Sequence, residues 1–325
     1  MNLLRPCAAL SVHAFIAAAL LFSASFSTAA IAVGNGSAAA MPSKLAVHSL
    51  LLDGAQQAGL MVAVGERGHI LYSIDKGHHW LQASVPTQTL LTGVHLYDSQ
   101  LGWAVGHDAT ILRTQDGAKS WQLVYSDIDE QAPLLDVWFS NAQHGLAIGA
   151  YGLLLTTQDG GDSWQRNIIS EEDDFHLNHI MPTNDGALII AAEAGVIYRS
   201  DDNGQQWQPL PSPYHGSFFG SLPTSKQSLF LFGLRGHLFF SSNSGQQWQV
   251  IQTNTTAMLT AGLKGSDGRC YISGLSGTLL IAPRCNGSEI ELKQLPGRSG
   301  ISAMLQGDDA IILIGESGIT RFTPQ

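Results

Sequence analysis

Charged, histidine and tyrosine residues recur at one place in a repeated pattern, directly after short apolar runs. VAVGERG, WAVGHDA and LFLFGLRG are three examples. Carboxylate, guanidinium and imidazole groups at such turns can bind a partner through charge-assisted hydrogen bonds, and loops on a rigid scaffold commonly carry recognition. The alternative is an ordinary solvated loop surface. The candidates for partner binding are Glu66, Arg67, His69, His107, Asp108, Tyr151, Arg235, His237 and Glu316.

The acidic stretch SEEDDFHLNH, residues 170 to 179, supplies a second group of partner-binding candidates. These are Glu171, Glu172, Asp173, His176 and Asn178. Strict alternation along a strand places His176 and Asn178 on one side and His179 on the other. The two histidines then cannot share an ion, and the chain has no HExxH motif or Cys/His ligand spacing. We therefore expect neither a metal site nor a cofactor.

Catalysis of glycoside hydrolysis is the alternative function, and the arginine pattern weighs against it. A sialidase-like enzyme needs a Tyr nucleophile assisted by Glu, an Asp acid, and three arginines that grip the substrate carboxylate. Only Arg67 and Arg235 lie at the candidate turns. The Arg-Ile-Pro signature of sialidases is absent, as are the GxSxG, phosphate-loop and dinucleotide motifs. We predict no catalytic residues.

The turns belong to a repeat marked by an octet with Ser or Thr, Asp, Gly and Trp at positions one, three, five and eight. It reads SIDKGHHW, TQDGAKSW, TQDGGDSW, SDDNGQQW and SSNSGQQW, and its Trp residues lie 41, 43, 43 and 41 residues apart. The Asp can accept backbone N–H bonds within a turn, and the Trp can cover the hairpin. The predicted structural residues are Asp75, Trp80, Asp116, Trp121, Asp159, Trp164, Asp202, Trp207 and Trp248.

A second marker, the apolar run ending in Gly or Ala, occurs seven times, at residues 65, 106, 149, 192, 233, 274 and 315. Four short strands per period near 42 residues are typical of a propeller blade. The sequence therefore predicts an all-β, seven-bladed propeller with four-stranded blades. The inner strands are expected to begin near Leu45, Leu91, Leu134, Phe175, Phe218, Leu259 and Ile301.

The predicted domain organisation is a signal peptide at residues 1–30 and one propeller at 31–325. Its blades cover about 45–84, 90–126, 133–169, 175–210, 216–252, 257–295 and 299–325. The turns between second and third strands share one face with the connections between blades, so the candidate residues gather on that face. His176 and Asn178 would point towards the central channel, with Asp136 at a comparable place in blade three.

The sixth and seventh blades depart from the pattern. Blade six has no octet but contains Cys270 and Cys285, which we expect to form a disulfide, with two buried thiols as the alternative. Blade seven stops after its third strand. Residues 31 to 37 are the natural donors of a fourth strand, because an open sheet edge invites aggregation.

The first thirty residues differ from the rest in composition. Arg5 is the only charged residue there, and AFIAAALLFSASF is an apolar run that suits a signal-peptide core. An uncleaved anchor is the alternative, and cleavage near residue 30 or near residue 40 stays open. We expect an exported, periplasmic protein that is monomeric. The net charge of −10 argues against a nucleic-acid partner.

The five octets resemble the Asp-box of sialidases and related propellers. Together with VAVGERGHILYS and LGWAVGHDATILRTQDGAKSWQ, they resemble the photosystem II stability/assembly factor family of exported seven-bladed propellers, also called BNR-repeat proteins, over about residues 45 to 325. VAVGERGHI and EEDDFHLNH suggest its bacterial branch. The resemblance implies a non-enzymatic factor that binds a membrane-protein complex or its subunits on the exported side of the membrane. Photosynthetic members have a basic patch, whereas this chain surrounds Arg67 and Arg235 with acidic residues.

Overall fold

The computed structural model describes residues 38–170 and 174–324, in which all regular structure is β-strand or single 3-10 turn. The strands form seven antiparallel sheets, and the first strand of each sheet contacts the first strands of its two neighbours, so that they surround a central channel. The predicted seven-bladed propeller is confirmed.

The strands of the first four blades run outward from the channel in chain order. They are β1 Leu51–Gln57, β2 Leu60–Gly65, β3 Ile70–Ser73 and β4 Leu81–Gln82; β5 Leu91–Leu96, β6 Gly102–Gly106, β7 Ile111–Thr114 and β8 Gln122–Tyr125; β9 Leu134–Phe139, β10 Gly145–Gly149, β11 Leu154–Thr157 and β12 Gln165–Asn167; β13 Leu177–Pro182, β14 Leu188–Ala192, β15 Ile197–Ser200 and β16 Gln208–Pro209.

The last three blades follow the same order, and seven short 3-10 turns lie between strands of the described residues. The strands are β17 Phe218–Pro223, β18 Leu229–Gly233, β19 Leu238–Ser241 and β20 Gln249–Ile251; β21 Leu259–Lys264, β22 Cys270–Gly274, β23 Thr278–Ala282 and β24 Glu291–Gln294; β25 Ile301–Gln306, β26 Ile311–Gly315 and β27 Gly318–Phe322. The turns are Ala46–His48, Glu66–Gly68, Ile128–Glu130, Ala150–Gly152, Glu193–Gly195, Leu234–Gly236 and Leu275–Gly277.

The second strand of each blade is buried along its whole length. Neighbouring blades cover both of its sides, which is why these strands are continuous apolar runs. Two predicted inner strands were misplaced. Ala46–His48 is a 3-10 turn, so the first inner strand begins at Leu51. The fourth begins at Leu177, because Phe175 and His176 belong to the connection before it.

Every inner strand contains a register shift directly after its first residue, as between Leu177 and His179. Such a β-bulge breaks the alternation of side chains. The prediction that Asn178 and His179 lie on opposite sides of the strand was therefore wrong, because both side chains line the channel.

The octets form the turn between the third and fourth strands. In blade three, the Asp159 carboxylate accepts the backbone N–H of Ser163 at 2.9 Å and the Thr157 hydroxyl at 2.8 Å. The Thr157 hydroxyl oxygen in turn accepts the N–H of Gly161 at 2.9 Å. The role of the hydroxyl at position one was missed from the sequence, although its recurrence as Ser or Thr was visible.

The same bonds occur in the other four octets. Asp75, Asp116 and Asp202 each accept the hydroxyl at position one and the N–H of position seven. Asn243 does the same through its amide oxygen, with distances of 3.0 and 2.9 Å. The oxygen atom is therefore the common requirement, and the charge is not.

Blade six replaces the octet with a covalent link. Cys270 and Cys285 form a disulfide with a Cα–Cα distance of 5.0 Å, and both residues are buried. The bond joins the second strand to the turn after the third strand. It thus fixes the same hairpin that the octet fixes elsewhere.

The ring closes where blade seven packs against blade one. Gln56 Oε1 accepts the N–H of Gln306 at 2.6 Å, and His78 lies 3.1 Å from Asp308. In the described residues blade seven has three strands. The predicted donor of a fourth strand, residues 31 to 37, lies outside the described residues, as does the predicted signal peptide. The first described residues bond to blade one, where the Ala40 N–H donates to the Val85 carbonyl.

Candidate functional site: the loop face and the central channel

The turn between the second and third strands has one geometry in six blades. Its tip residue is left-handed, with φ between 54° and 57° at Arg67, Asp108, Tyr151, Ala194, Arg235 and Ser276. Non-glycine residues adopt this conformation uncommonly. In five of these blades a Gly follows the tip, and in blade one it fits closely against the next connection: a Cβ at Gly68 would lie 2.0 Å from the Thr87 carbonyl oxygen. Each tip side chain is thereby held at a fixed place on this face, called the loop face below.

Several predicted partner-binding residues are exposed on the loop face. Arg67, His107, Tyr151, Arg235 and Glu316 are exposed, and Asp108 is half-buried. Tyr151 is 60% exposed, which is unusual for so large an aromatic side chain. These candidates therefore offer two guanidinium groups and one large aromatic ring to a partner.

The glutamates of the loop face also have a structural role that the sequence did not indicate. Glu66 accepts the N–H of Leu50 at 3.3 Å, and Glu193 accepts that of His176 at 3.3 Å. Glu316 accepts the N–H of Gly300 at 2.7 Å. Each carboxylate thus fixes the chain one residue before its own inner strand begins, so Glu66 and Glu316 are only partly available for a partner.

Two predicted histidines are placed differently from the exposed tips. His69 is 6% exposed and its Nδ1 lies 3.0 Å from the Ser49 hydroxyl, so it lies beneath the loop face. Burial lowers the pKa of His69. His237 is half-buried and stacks on Tyr214 with ring centroids 4.1 Å apart. Direct contact with a partner is therefore not open to His69.

The acidic stretch is only partly described. Glu171, Glu172 and Asp173 lie outside the described residues, so their predicted role stays a prediction. His176 Nδ1 lies 3.1 Å from Glu193 Oε2, and its ring is 5.0 Å from that of Tyr151. It therefore belongs to the loop face and does not point into the channel as predicted, because it precedes the inner strand.

The central channel contains a polar group that the sequence only partly revealed. Asp136 on β9 accepts His179 Nδ1 at 2.7 Å and the N–H of Ile180 at 2.9 Å, both on β13. Asp53 on β1 accepts the N–H of Val94 at 2.8 Å. Asp53 was missed because the first inner strand was placed too early in the chain.

These channel residues connect neighbouring blades. The Asp53 and Asp136 carboxylates join blade one to two and blade three to four. Thr92 donates to the Leu134 carbonyl at 2.6 Å, and Asn178 donates to the Phe218 carbonyl at 2.8 Å. Asn178 was predicted to bind a partner, whereas in the structure its amide joins blades four and five through the hydrogen bond to Phe218.

The electrostatics of the channel depart from those of free side chains. Burial, reinforced by the nearby Asp136 carboxylate, raises the pKa of Asp53 to about 7. Burial alone would lower the pKa of His179, but the Asp136 carboxylate more than offsets this and the pKa is raised. Burial lowers the pKa of His95 to about 4. The contact with Asp136 thus favours the protonated form of His179, beside a carboxyl group that resists ionisation.

The described residues contain no group of three or more His, Cys, Asp or Glu side chains placed to hold a metal ion. The three arginines on third strands form ion pairs: Arg113 with Asp162 at 2.7 Å, Arg199 with Asp201 at 2.6 Å, and Arg321 with Asp308 at 3.4 Å. The described part of the chain includes no helix long and apolar enough to span a membrane.

The fold and the repeated turn define a seven-bladed β-propeller of the BNR-repeat class. Residues 124–278 match the family model described as photosynthesis system II assembly factor YCF48, in agreement with the predicted resemblance.

Solved structures show the same fold at low sequence identity. YCF48 bound to D1 peptide has a TM-score of 0.68 and 18% identity, covering 86% of this chain and 94% of that chain. YCF48 from Cyanidioschyzon merolae has a TM-score of 0.68 and 14% identity, covering 85% and 96%. The WD40 propeller domain of Doa1 has a TM-score of 0.67 and 14% identity, covering 89% of this chain and 96% of that chain. No curated protein sequence matches the chain.

Proposed function

We propose that this protein is a non-enzymatic, exported scaffold that binds a membrane-protein complex or one of its subunits through the loop face. The observation that carries the proposal is the set of exposed tips, Arg67, Tyr151 and Arg235, each held by a turn of one fixed geometry. Arg and Tyr are enriched among the residues that dominate binding energy. Pre-positioned side chains also lose little freedom on binding.

The family supports this proposal in its general form. YCF48 is described as an assembly factor, and one solved structure shows that protein with a D1 peptide. We extend peptide or subunit binding to this chain, and a periplasmic, monomeric state with it. Glu66, next to Arg67, favours a partner segment that carries both charges.

The test is a crosslinking pull-down from membranes with purified wild type and four variants. Arg67→Glu and Arg235→Glu should each reduce capture of the partner, and together they should reduce it further, because interface energy is concentrated in a few anchors. Arg284→Glu is the matched control, since Arg284 is exposed in a turn between third and fourth strands, on the opposite face. Equal capture by all variants would contradict the proposal.

A glycoside panel that includes sialosides forms the second arm. We expect no turnover. Turnover that disappears when one carboxylate is removed, as an acid or base catalyst requires, would establish a hydrolase instead.

A further inference from the structure

A groove at the rim of the ring lies between the outer parts of blades three and four. It has a volume of about 680 Å³ and is bordered by β12 and by the octet turn of blade four. Trp138, Leu146, Leu154 and Trp207 supply its apolar lining. None of the described residues that line this rim groove is Asp, Glu, Lys or Arg. Its ligand should therefore be uncharged, because a charge would lose hydration without gaining a charged partner.

Elsewhere in the ring the corresponding place is closed by hydrogen bonds. Ser84, four residues after the octet Trp of blade one, donates its N–H to the Lys119 carbonyl at 2.9 Å and accepts the Trp121 N–H at 3.0 Å. This parallel bridge joins the outer end of blade one to the octet of blade two. At the same position of blade four, the Pro211 carbonyl accepts Trp248 Nε1 of blade five at 2.9 Å.

The corresponding bonds are missing between blades three and four. Ile168 takes the place of Ser84, and the blade-four octet presents the Gln205 carbonyl and the Trp207 N–H. Within the described part of the chain, these two groups and the N–H and C=O of Ile168 form no backbone hydrogen bond. The Ile168 side chain is 69% exposed. Both walls of the rim groove thus carry unpaired backbone groups, which are a template for an added strand.

We propose that the rim groove binds an extended, uncharged segment of another polypeptide, which adds a short strand between Ile168 and the blade-four octet. An extended backbone directs N–H and C=O groups to both of its edges, and main-chain bonds of this kind supply affinity in strand addition. Successive side chains of a strand point in opposite directions. Those turned inward should therefore be apolar, against Trp138 and Leu146, and those turned outward small and polar.

The position and size of the rim groove agree with such a site. Its volume lies within the roughly 300–1,000 Å³ of typical binding sites, which is enough for a few residues of an extended chain. It lies beside the octet turns, on the face of the ring opposite the loop face. The inference therefore does not rest on the proposed function, and either proposal can fail without the other.

The test is an NMR titration of the purified protein with an acetylated, amidated pentapeptide of alternating Thr and Val. We expect saturable binding that shifts the amide resonances of Ile168 and Trp207, whereas that of Trp121, where the gap is closed, stays unchanged. The same pentapeptide with both Val nitrogens methylated keeps its side chains but lacks the donors of one edge. It should bind at least about tenfold more weakly, because it loses two hydrogen bonds.

A pair of proline variants tests the blade-three wall. Ile168→Pro removes one backbone N–H and should weaken binding about threefold to tenfold. Ile74→Pro is the matched control and should bind as wild type does. Ile74 is also exposed, at 74%, lies in the octet of blade one, and has no backbone hydrogen bond within the described residues. Thermal melts confirm folding, and if Ile168→Pro does not fold, the methylated peptide decides.

Other occupants are outcomes of the same experiment. The proposal is overturned if the pentapeptide does not saturate, if the methylated peptide binds equally well, or if the shifted resonances lie outside the rim groove. Cellopentaose is titrated in parallel, and saturation by this sugar alone would identify an oligosaccharide site instead. A concentration-dependent dimer in sedimentation that Ile168→Pro abolishes would identify a second copy of this chain as the occupant, against the proposal.

Discussion

Asp53 is a single carboxyl whose surroundings decide how stability changes with pH. Its pKa is raised to about 7 by burial and by Asp136, well above the value of about 3.9 for an exposed Asp in the unfolded chain. The folded state therefore holds a proton that the unfolded state has lost over this range. Its contribution to stability is present below about pH 4 and is lost as pH rises to about 7.

We predict that Asp53→Asn makes the protein more stable than wild type at pH 8 and equal to it near pH 4. The Asn amide oxygen can still accept the Val94 N–H, so the blade contact is retained. Urea denaturation from pH 4 to pH 8 measures the difference between the two proteins. The difference isolates Asp53, because His95 is present in both proteins and its effect cancels. In either protein alone, His95, with a pKa lowered to about 4, makes stability rise with pH between 4 and 6.5, opposite to the effect of Asp53. A constant difference at all pH values would contradict the assignment.

The Trp residues of the five octets are not equally buried. Trp121 is 4% exposed within the cluster between blades one and two, whereas Trp248 is partly exposed. Trp121→Ala should cost about 3–5 kcal/mol of unfolding free energy, as other buried aromatic truncations do. Trp248→Ala, at the same octet position, is the matched control and should cost about half as much. Equal losses in chemical denaturation would mean that burial does not govern the role of the octet Trp.

The disulfide of blade six should contribute measurably to stability. A loop of 15 residues corresponds to about 3 kcal/mol in the chain-entropy model. Reduction should therefore lower the midpoint of denaturation of wild type. The double variant Cys270→Ala, Cys285→Ala should start lower and show no response to reductant. A reductant effect that persists in this variant would have another origin.

Much of the element level was predictable because the repeat is regular. The period near 42 residues and the recurring Gly predicted the number of blades and the face that carries the turns between second and third strands. The bulge after the first inner-strand residue was not predictable, since no Gly or Pro marks it consistently: Leu52, Thr92, Leu135 and Asn178 occupy the position in four blades. Because the bulge was not predicted, strict alternation assigned the wrong side chains to the channel. The loop face was predictable as a place, but the backbone bonds of Glu66 and Glu316 depend on tertiary contacts.

Closure of the ring depends on close packing between its first and last blades. Gly54 on β1 lies so near blade seven that a Cβ there would be 2.4 Å from Ile314 Cδ1. Gly54→Ala should destabilise by about 1–3 kcal/mol, as overpacking does.

Shortening the facing side chain is the control. Ile314→Val alone should cost about 0.5–1.5 kcal/mol, and the double variant should be more stable than the sum of the two single effects implies. Denaturation of the four proteins gives the coupling free energy. Simple additivity would show that the two side chains do not meet at the closure.

The left-handed tips of the loop face have an evolutionary consequence. The same backbone accommodates Arg, Asp, Tyr, Ala and Ser in six blades, so the turn does not depend on which side chain occupies the tip. Mutations there can change the chemistry of the surface without disturbing the core. Descendants of one ancestral ring could thus acquire new partners by exchanging a handful of side chains, and relatives that share this architecture need not share a specificity.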